Sequence, residues 1–224
     1  TGLIILTLSL LQALIFSFLL VLLPLIVFRK KGKTFSPGLQ IIYFFMIGMG
    51  FMFIEISTIQ QFVLFLGNPA DAIAITIMIL LLFTGIGSLF SKKILILLGE
   101  RNLYGLLMIF IPLLIMSYAL IIPGVTHYFL HSSFSFRVFV SFVLLFPLGF
   151  CLGLFYPTGL MLVGDKNSDF IPWAFAINGV ASVISSILSI LLAMVYGFTF
   201  VLVTAAFLYF FACVAFYRFS IKHK

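Results

Sequence analysis

The chain has 224 residues, of which 64% are hydrophobic and only 8% are charged. Soluble domains are usually about 45–50% apolar and about 25% charged, so a water-soluble fold is excluded and lipid is the expected solvent. The net charge of +7 lies in short clusters between apolar runs, without the aromatic and basic residues that interleave on nucleic-acid-binding surfaces, so no nucleic-acid partner is predicted.

Seven apolar runs follow one another along the chain, and each can form a membrane-spanning helix of about 20 residues. The sequence therefore predicts one all-α domain over residues 1–224, a polytopic transmembrane helix bundle in a lipid bilayer. The short apolar run at 94–98 is predicted to lie at the interface or to extend the fourth helix. The predicted spans are 3–28, 39–66, 71–90, 103–122, 136–162, 171–196 and 198–218.

Lys and Arg set the predicted orientation, because they collect on the cytoplasmic side of membrane proteins. With seven spans, Arg137 is the only basic residue that falls on the side opposite the others. We therefore expect an outside N-terminus and a cytoplasmic C-terminus in a bacterial inner (plasma) membrane. No basic region precedes the first run, unlike in a signal peptide, so we expect the C-terminal part of a longer protein.

The second predicted span carries a carboxyl group, Glu55, and two neighbouring amides, Gln60 and Gln61. A carboxylate that faces lipid is costly, so Glu55 is predicted to face protein or a water-filled cavity. Polar or small residues lie on two sides of this helix, which predicts a position in the middle of the bundle. Asp71, at the outer end of the third span, is predicted to cap its helix, with attraction of cations as the alternative.

The sixth predicted span has a face of small and polar residues suited to close helix contact and to interhelical hydrogen bonds. Its Asn178 is predicted to lie level with Gly48 of the second span. Two interpretations remain open. In one, Glu55 with a glutamine and this face lines a site for a cation or proton; in the other, Glu55 is a buried neutral carboxyl group that donates a hydrogen bond to a neighbouring helix. The polar residues of the sixth span are Asn178, Ser182, Ser185, Ser186 and Ser189.

The fifth predicted span contains Pro147 and Pro157, which predict a kinked or broken helix because proline removes a backbone hydrogen bond. Its Gly149 and Gly153 form a G-x-x-x-G spacing that lets two backbones approach closely. Packing within the bundle is the first interpretation of this spacing and self-dimerisation is the second.

Motifs that carry covalent chemistry are missing from the sequence: there is no phosphate-binding loop, no H-E-x-x-H and no G-x-S-x-G. His127 and His131 lie four apart in a predicted outer loop, without Cys or carboxylates nearby. Cys151 and Cys213 lie inside apolar runs and are predicted to pack there without forming a disulfide. The sequence therefore predicts no catalytic residue, no cofactor and no metal site.

Four stretches carry a family resemblance: "GFMFIEISTIQQFVLFLGNP", "LLFTGIGSLFS", "PLGFCLGLFYPTGL" and "PWAFAINGVASVISSILS". In this order they resemble the C-terminal membrane domain of bacterial spermidine-synthase-like membrane proteins, from about residue 40 onwards. The catalytic part of that family, with its glycine-rich loop and acidic polyamine site, has no counterpart in this chain. The resemblance implies a shared fold and relationship without transferase activity.

Three functions are compatible with these patterns. The first is a membrane subunit or domain that anchors a partner domain or complex, with a protein partner or a second copy of the chain as the expected contact. The second is a transporter of a small cation or polyamine that uses Glu55. The third, implied by the resemblance, is the membrane part of an aminopropyltransferase-like enzyme whose catalytic domain lies outside this chain.

Overall fold

Seven α-helices make up the part of the chain that the computed structural model describes, namely residues 2–19, 23, 38–166 and 168–222. No strand occurs in these ranges. A short 3-10 turn, Ser168–Phe170, precedes the sixth helix. The helices are α1 (Gly2–Ser17), α2 (Gly38–Leu66), α3 (Pro69–Leu98), α4 (Glu100–Tyr128), α5 (Phe134–Lys166), α6 (Ile171–Tyr196) and α7 (Phe198–Lys222).

Six of these helices, α2 to α7, are long and apolar enough to cross a membrane. The apolar helix α1 has 16 residues, and the rest of the first predicted span, 3–28, lies largely outside the described residues. Large apolar side chains cover the outer surface, and Leu64, Leu89 and Leu120 are each about 80% exposed. Such a surface is stable against hydrocarbon and unstable in water. These features indicate a multi-pass membrane protein in contact with lipid.

Three glycines end helices in this bundle. Gly67, Gly99 and Gly197 have φ values of 84°, 73° and 83°, a conformation that glycine adopts without a Cβ clash. Gly99 alone separates α3 from α4, and Gly197 alone separates α6 from α7.

Contacts at the two ends of the bundle show that α2 and α4 run in one direction and that α5 and α7 run in the other. Tyr43, near the start of α2, bonds Tyr104, near the start of α4, and contacts Phe216, near the end of α7. At the other end, Arg137 near the start of α5 bonds Phe65 near the end of α2. Helix α6 turns back into α7 at Gly197, so α2, α4 and α6 run parallel to one another.

Helix α2 lies in the middle of the bundle, as its two-sided polar pattern predicts. It packs chiefly against α6 and α7 and also contacts α3, α4 and α5. The other main pairs are α3 with α5 and α4 with α7. Most close neighbours in space are therefore not neighbours along the chain.

Helices α3 and α5 meet backbone to backbone at their glycines. A Cβ on Gly87 would lie 2.1 Å from the carbonyl oxygen of Phe150, and a Cβ on Gly153 would lie 2.2 Å from that of Thr84. A Cβ on Gly149 would lie 2.8 Å from the Cβ of Phe83. The prediction that Gly149 and Gly153 serve packing within the bundle is confirmed, since α3 occupies this surface.

Three predictions about the helices need correction. The run 94–98 does not extend the fourth predicted helix: it is the last part of α3, where Lys92 and Lys93 lie on an exposed helix face and do not form a loop. Its position at the membrane interface stays a prediction. Long charged side chains can reach water from such a face. The cap of α3 is Asn68, whose Oδ1 accepts from the Ala70 N–H at 3.1 Å, while Asp71 lies exposed in the first turn.

The third correction concerns the prolines of α5. Pro147 and Pro157 both lie inside one continuous helix of 33 residues, so the predicted break is wrong, whereas the predicted kink stays a prediction. Proline is tolerated within membrane helices where neighbouring hydroxyl groups bond the carbonyls that it frees or exposes. Such hydroxyls are present beside both prolines.

Candidate functional site

A cavity of ≈ 360 Å³ lies between α2, α3, α5, α6 and α7, and we call it the lateral cleft. Leu81 and Gly85, near the middle of α3, are exposed, so the lateral cleft opens sideways at mid-helix height. Its lining residues are Ile47, Gly48, Phe51, Leu81, Thr84, Gly85, Ser88, Leu152, Gly153, Phe155, Tyr156, Pro157, Asn178, Ser182 and Tyr209.

Asn178 on α6 lies directly against Gly48 on α2. A Cβ on Gly48 would lie 2.7 Å from both the backbone oxygen and Oδ1 of Asn178, so only glycine allows this approach. The predicted common level of these two residues is confirmed. Because α2 and α6 run parallel, the same register places Glu55 at the level of Ser185.

The polar residues that were predicted to form one site lie in different places in the structure. Asn178 and Ser182 line the lateral cleft, whereas Glu55 is partly buried outside it. No described residue forms a hydrogen bond or ion pair with the Glu55 carboxylate. Gln60 is exposed, and Gln61 is partly buried with an Oε1 that has no partner in the described ranges. A joint role of these residues stays a prediction.

The serines of α6 bond their own helix and make no interhelical hydrogen bond among the described residues. A Ser hydroxyl can reach the carbonyl three or four residues earlier, so it needs no partner from another helix. Ser185 and Ser189 are fully buried, and their small size serves close packing. The donor–acceptor distances are 2.9 Å for Ser182 to Asn178, 3.1 Å for Ser185 to Ser182, 2.8 Å for Ser186 to Val183 and 2.9 Å for Ser189 to Ser186.

A buried network of hydroxyl groups joins α2, α4 and α5, and the sequence analysis missed it. Tyr43 Oη donates to the Phe155 carbonyl at 2.6 Å and lies 3.0 Å from Tyr104 Oη. Tyr104 Oη lies 2.7 Å from Thr158 Oγ1, which lies 2.6 Å from the Leu154 carbonyl. All three hydroxyl residues are at most 1% exposed. We call Tyr43, Tyr104 and Thr158 the hydroxyl network.

Aromatic contacts and a glycine position the hydroxyl network. The Phe216 ring of α7 stacks on the Tyr104 ring with centroids 3.8 Å apart and planes 16° apart. A Cβ on Gly159 would lie 2.4 Å from the Tyr43 ring, so this ring needs a glycine beside it. The network therefore fixes four helices at one end of the bundle.

Hydroxyls also bond the backbone near both prolines of α5. The Tyr118 hydroxyl donates to the Leu144 carbonyl, one turn before Pro147. Pro157 has no N–H, so the carbonyl of Gly153 lacks its helical donor. Gly153 lines the lateral cleft, as does Tyr156, whose buried Oη has no partner in the described part of the chain.

Arg137 has a structural contact at the end of α2. Its Nη1 donates to the Phe65 carbonyl at 2.6 Å, where the last carbonyls of a helix lack intrahelical partners and attract cations. This contact explains why a basic residue occurs at position 137, on the side predicted to lie opposite the other basic residues.

Residues that bind metals are not grouped in the described ranges, where no set of three or more His, Cys, Asp and Glu side chains comes together. His127 lies exposed in the last turn of α4, and His131 is exposed in the turn that follows. Cys151 is partly buried and Cys213 buried, and both are free thiols. Comparisons with protein-family models, with curated proteins and with solved structures found no match for the chain.

Proposed function

We propose that this chain is a membrane module that anchors a partner domain or complex at the bilayer. The proposal rests on the close packing and the buried hydrogen bonds of the bundle interior. Glycines bring α3 against α5 with no room for a Cβ, and the hydroxyl network ties three helices with buried hydrogen bonds. A rigid interior of this kind suits a structural support better than a moving gate.

The chemistry of the lateral cleft also supports anchoring over transport. Among its lining residues none is Asp, Glu, Lys, Arg or His. A polyamine carries several positive charges, and transferring it into an uncharged cleft would leave those charges unpaired. Glu55, the acid farthest from the helix ends, does not line this cleft.

Sequence patterns support three further features that we propose: the family relationship, the orientation in the membrane and the type of membrane. The four stretches that resemble spermidine-synthase-like membrane proteins support a role like that of their membrane domain. The basic clusters support an outside N-terminus, a cytoplasmic C-terminus and a bacterial inner membrane. A catalytic domain outside this chain is compatible with the anchoring role.

Transport of a small cation through Glu55 is the alternative function. It is favoured by one observation, that the carboxylate is partly buried without a bonding partner among the described residues. Ionisable residues within membrane helices often mark ion pathways. The other acids of the described residues lie at or next to helix ends, and for this reason we place transport second.

Native mass spectrometry of the tagged chain, purified from its own membranes in mild detergent, tests the anchoring proposal. We expect a complex of fixed stoichiometry, with a second protein or with further copies of the chain. The Glu55→Gln variant is the control and should keep the same stoichiometry, since anchoring does not use the carboxylate. A spectrum that contains only the single chain at all detergent concentrations would contradict the proposal.

A further inference from the structure

We infer that the lateral cleft is a binding site for an uncharged lipid that carries hydroxyl and carbonyl oxygens, of the diacylglycerol type. This site goes beyond anchoring, since nothing in that role requires a bound lipid. Its volume of ≈ 360 Å³ falls within the range of about 300–1,000 Å³ found for ligand pockets.

Three uncharged polar groups of the lateral cleft have unused hydrogen-bonding capacity. The Tyr156 hydroxyl is buried with no partner among the described residues, and none of these residues bonds the side-chain amide of Asn178. The Gly153 carbonyl lacks its helical donor because residue 157 is proline. The Tyr156 O–H and the Asn178 NH₂ can donate, and the Asn178 Oδ1 and the Gly153 carbonyl can accept, which matches a ligand with a hydroxyl group and ester carbonyls.

The lining excludes a charged headgroup. Among the described residues around the lateral cleft there is no basic side chain to pair with a phosphate, and an unpaired charge at this depth is costly. A lipid with a hydroxyl group in place of the phosphate meets no such penalty. The uncharged lining therefore favours neutral lipids over phospholipids.

The position of the opening fits a ligand that enters from the bilayer. Gly48 lies about 15 Å along α2 from Gly38, well away from both helix ends. Gly85 faces open space at the opening, where nothing lies within 4 Å of a Cβ placed on it. Acyl chains can leave through this opening, while the oxygen-bearing end lies against Tyr156 and Asn178.

Photolabelling in nanodiscs tests this inference with a diazirine-bearing diacylglycerol as the probe. Phosphatidic acid with the same chains and diazirine is the comparison, and labelled peptides are mapped by mass spectrometry. We expect the diacylglycerol to label cleft residues of α3, α5 and α6 and to be displaced by unlabelled diacylglycerol. Equal labelling of the cleft by phosphatidic acid would overturn the selectivity for uncharged lipids.

Two variants separate the lateral cleft from the rest of the lipid-facing surface. Gly85→Leu places an apolar side chain at the opening, where nothing lies within 4 Å of an added Cβ, and should abolish cleft labelling. The matched control is Gly179→Leu on α6, where nothing lies within 4 Å of an added Cβ and which does not line the cleft. Gly179→Leu should leave labelling unchanged.

Tyr156→Phe removes only the unpartnered hydroxyl and should weaken labelling by about three- to tenfold, the effect of one hydrogen bond. Since the hydroxyl bonds no described residue, the fold should be unaffected, so this variant decides the question even if Gly85→Leu fails to fold. Undiminished labelling in Tyr156→Phe, or labelling spread evenly over the outer surface, would reject the site.

Discussion

Tyr43 places a hydroxyl group where three helices meet. It donates to the Phe155 carbonyl at 2.6 Å and lies 3.0 Å from the Tyr104 hydroxyl. In a bilayer the unfolded helices find few substitutes for such buried partners, although measured interhelical hydrogen bonds contribute only about 0.6 kcal/mol on average and about 1.7 kcal/mol at most. Two such bonds at one side chain make Tyr43 an important residue for stability.

Two tyrosines of the bundle differ in their hydrogen bonding: the hydroxyl of the fully buried Tyr43 has partners, whereas that of the partly buried Tyr156 has none among the described residues. Tyr43→Phe should lower the free energy of unfolding by about 1–2 kcal/mol, because it removes two hydrogen bonds and leaves the Phe155 carbonyl without this donor. Steric trapping in bicelles measures this free energy. Tyr156→Phe is the control and should leave stability unchanged, since its hydroxyl has no partner in the described part of the chain. Equal effects of the two variants would contradict the assigned hydroxyl network.

The sequence could not predict the hydroxyl network. Tyr43, Tyr104 and Thr158 belong to three different apolar runs, and a tyrosine in such a run looks the same whether it packs in the core or faces the lipid interface. By contrast, the pairing of Asn178 with Gly48 follows from the small-residue patterns of two parallel spans. Local periodicity therefore predicted the helix faces but not the hydrogen bonds between distant segments.

At the element scale, the glycines of α3 distinguish two kinds of position on one helix. Gly87 touches the backbone of α5, where a Cβ would lie 2.1 Å from the Phe150 oxygen, whereas nothing lies within 4 Å of a Cβ on Gly85. The two glycines are two positions apart along α3 and face different surroundings. Helix α5 therefore covers the side of α3 that carries Gly87 and leaves the Gly85 position open.

Gly87→Ala should therefore destabilise the bundle by about 1–3 kcal/mol, because the added methyl group forces the two helices apart. Gly85→Ala should be neutral or should stabilise it by up to about 1 kcal/mol, because alanine has the higher helix propensity. Thermal unfolding in detergent, followed by circular dichroism, compares the two variants. A melting temperature for Gly87→Ala equal to that of the unsubstituted protein would show that the helices cross elsewhere.

Helix boundaries were predicted well where glycine ends a helix and poorly where charge was taken as a loop signal. The predicted span 171–196 has the bounds of α6, Ile171–Tyr196, which ends just before Gly197. Helix α3 continues past Lys92 and Lys93 to Gly99. Two lysines can remain hydrated on the exposed face of a helix, so their presence did not identify the turn.

At the scale of the whole molecule, the distribution of charge argues against a route for polyamines. Glu55 lies on the central helix, but the lateral cleft has no acidic side chain among its described lining residues. A continuous path would require several acids or a water-filled channel to compensate the charges of the substrate.

We therefore predict that liposomes containing the protein take up no more labelled spermidine than empty liposomes do. The Glu55→Gln variant and the control Gln60→Leu, at an exposed position, should behave in the same way. A pore-forming peptide confirms that the gradient is intact. Saturable uptake that is lost in Glu55→Gln and kept in Gln60→Leu would support the transport alternative.

The connectivity of the bundle has a consequence for its synthesis. Helix α4 ends at Tyr128, but its main packing partner, α7, begins only at Phe198. At about 5–20 residues per second the ribosome needs several seconds to make the intervening segment. During that time α4 resides in the bilayer without the surface that later covers it, and α2, which packs chiefly against α6 and α7, waits longer still. A message truncated before the codon for Phe198 would yield a product that quality-control proteases recognise.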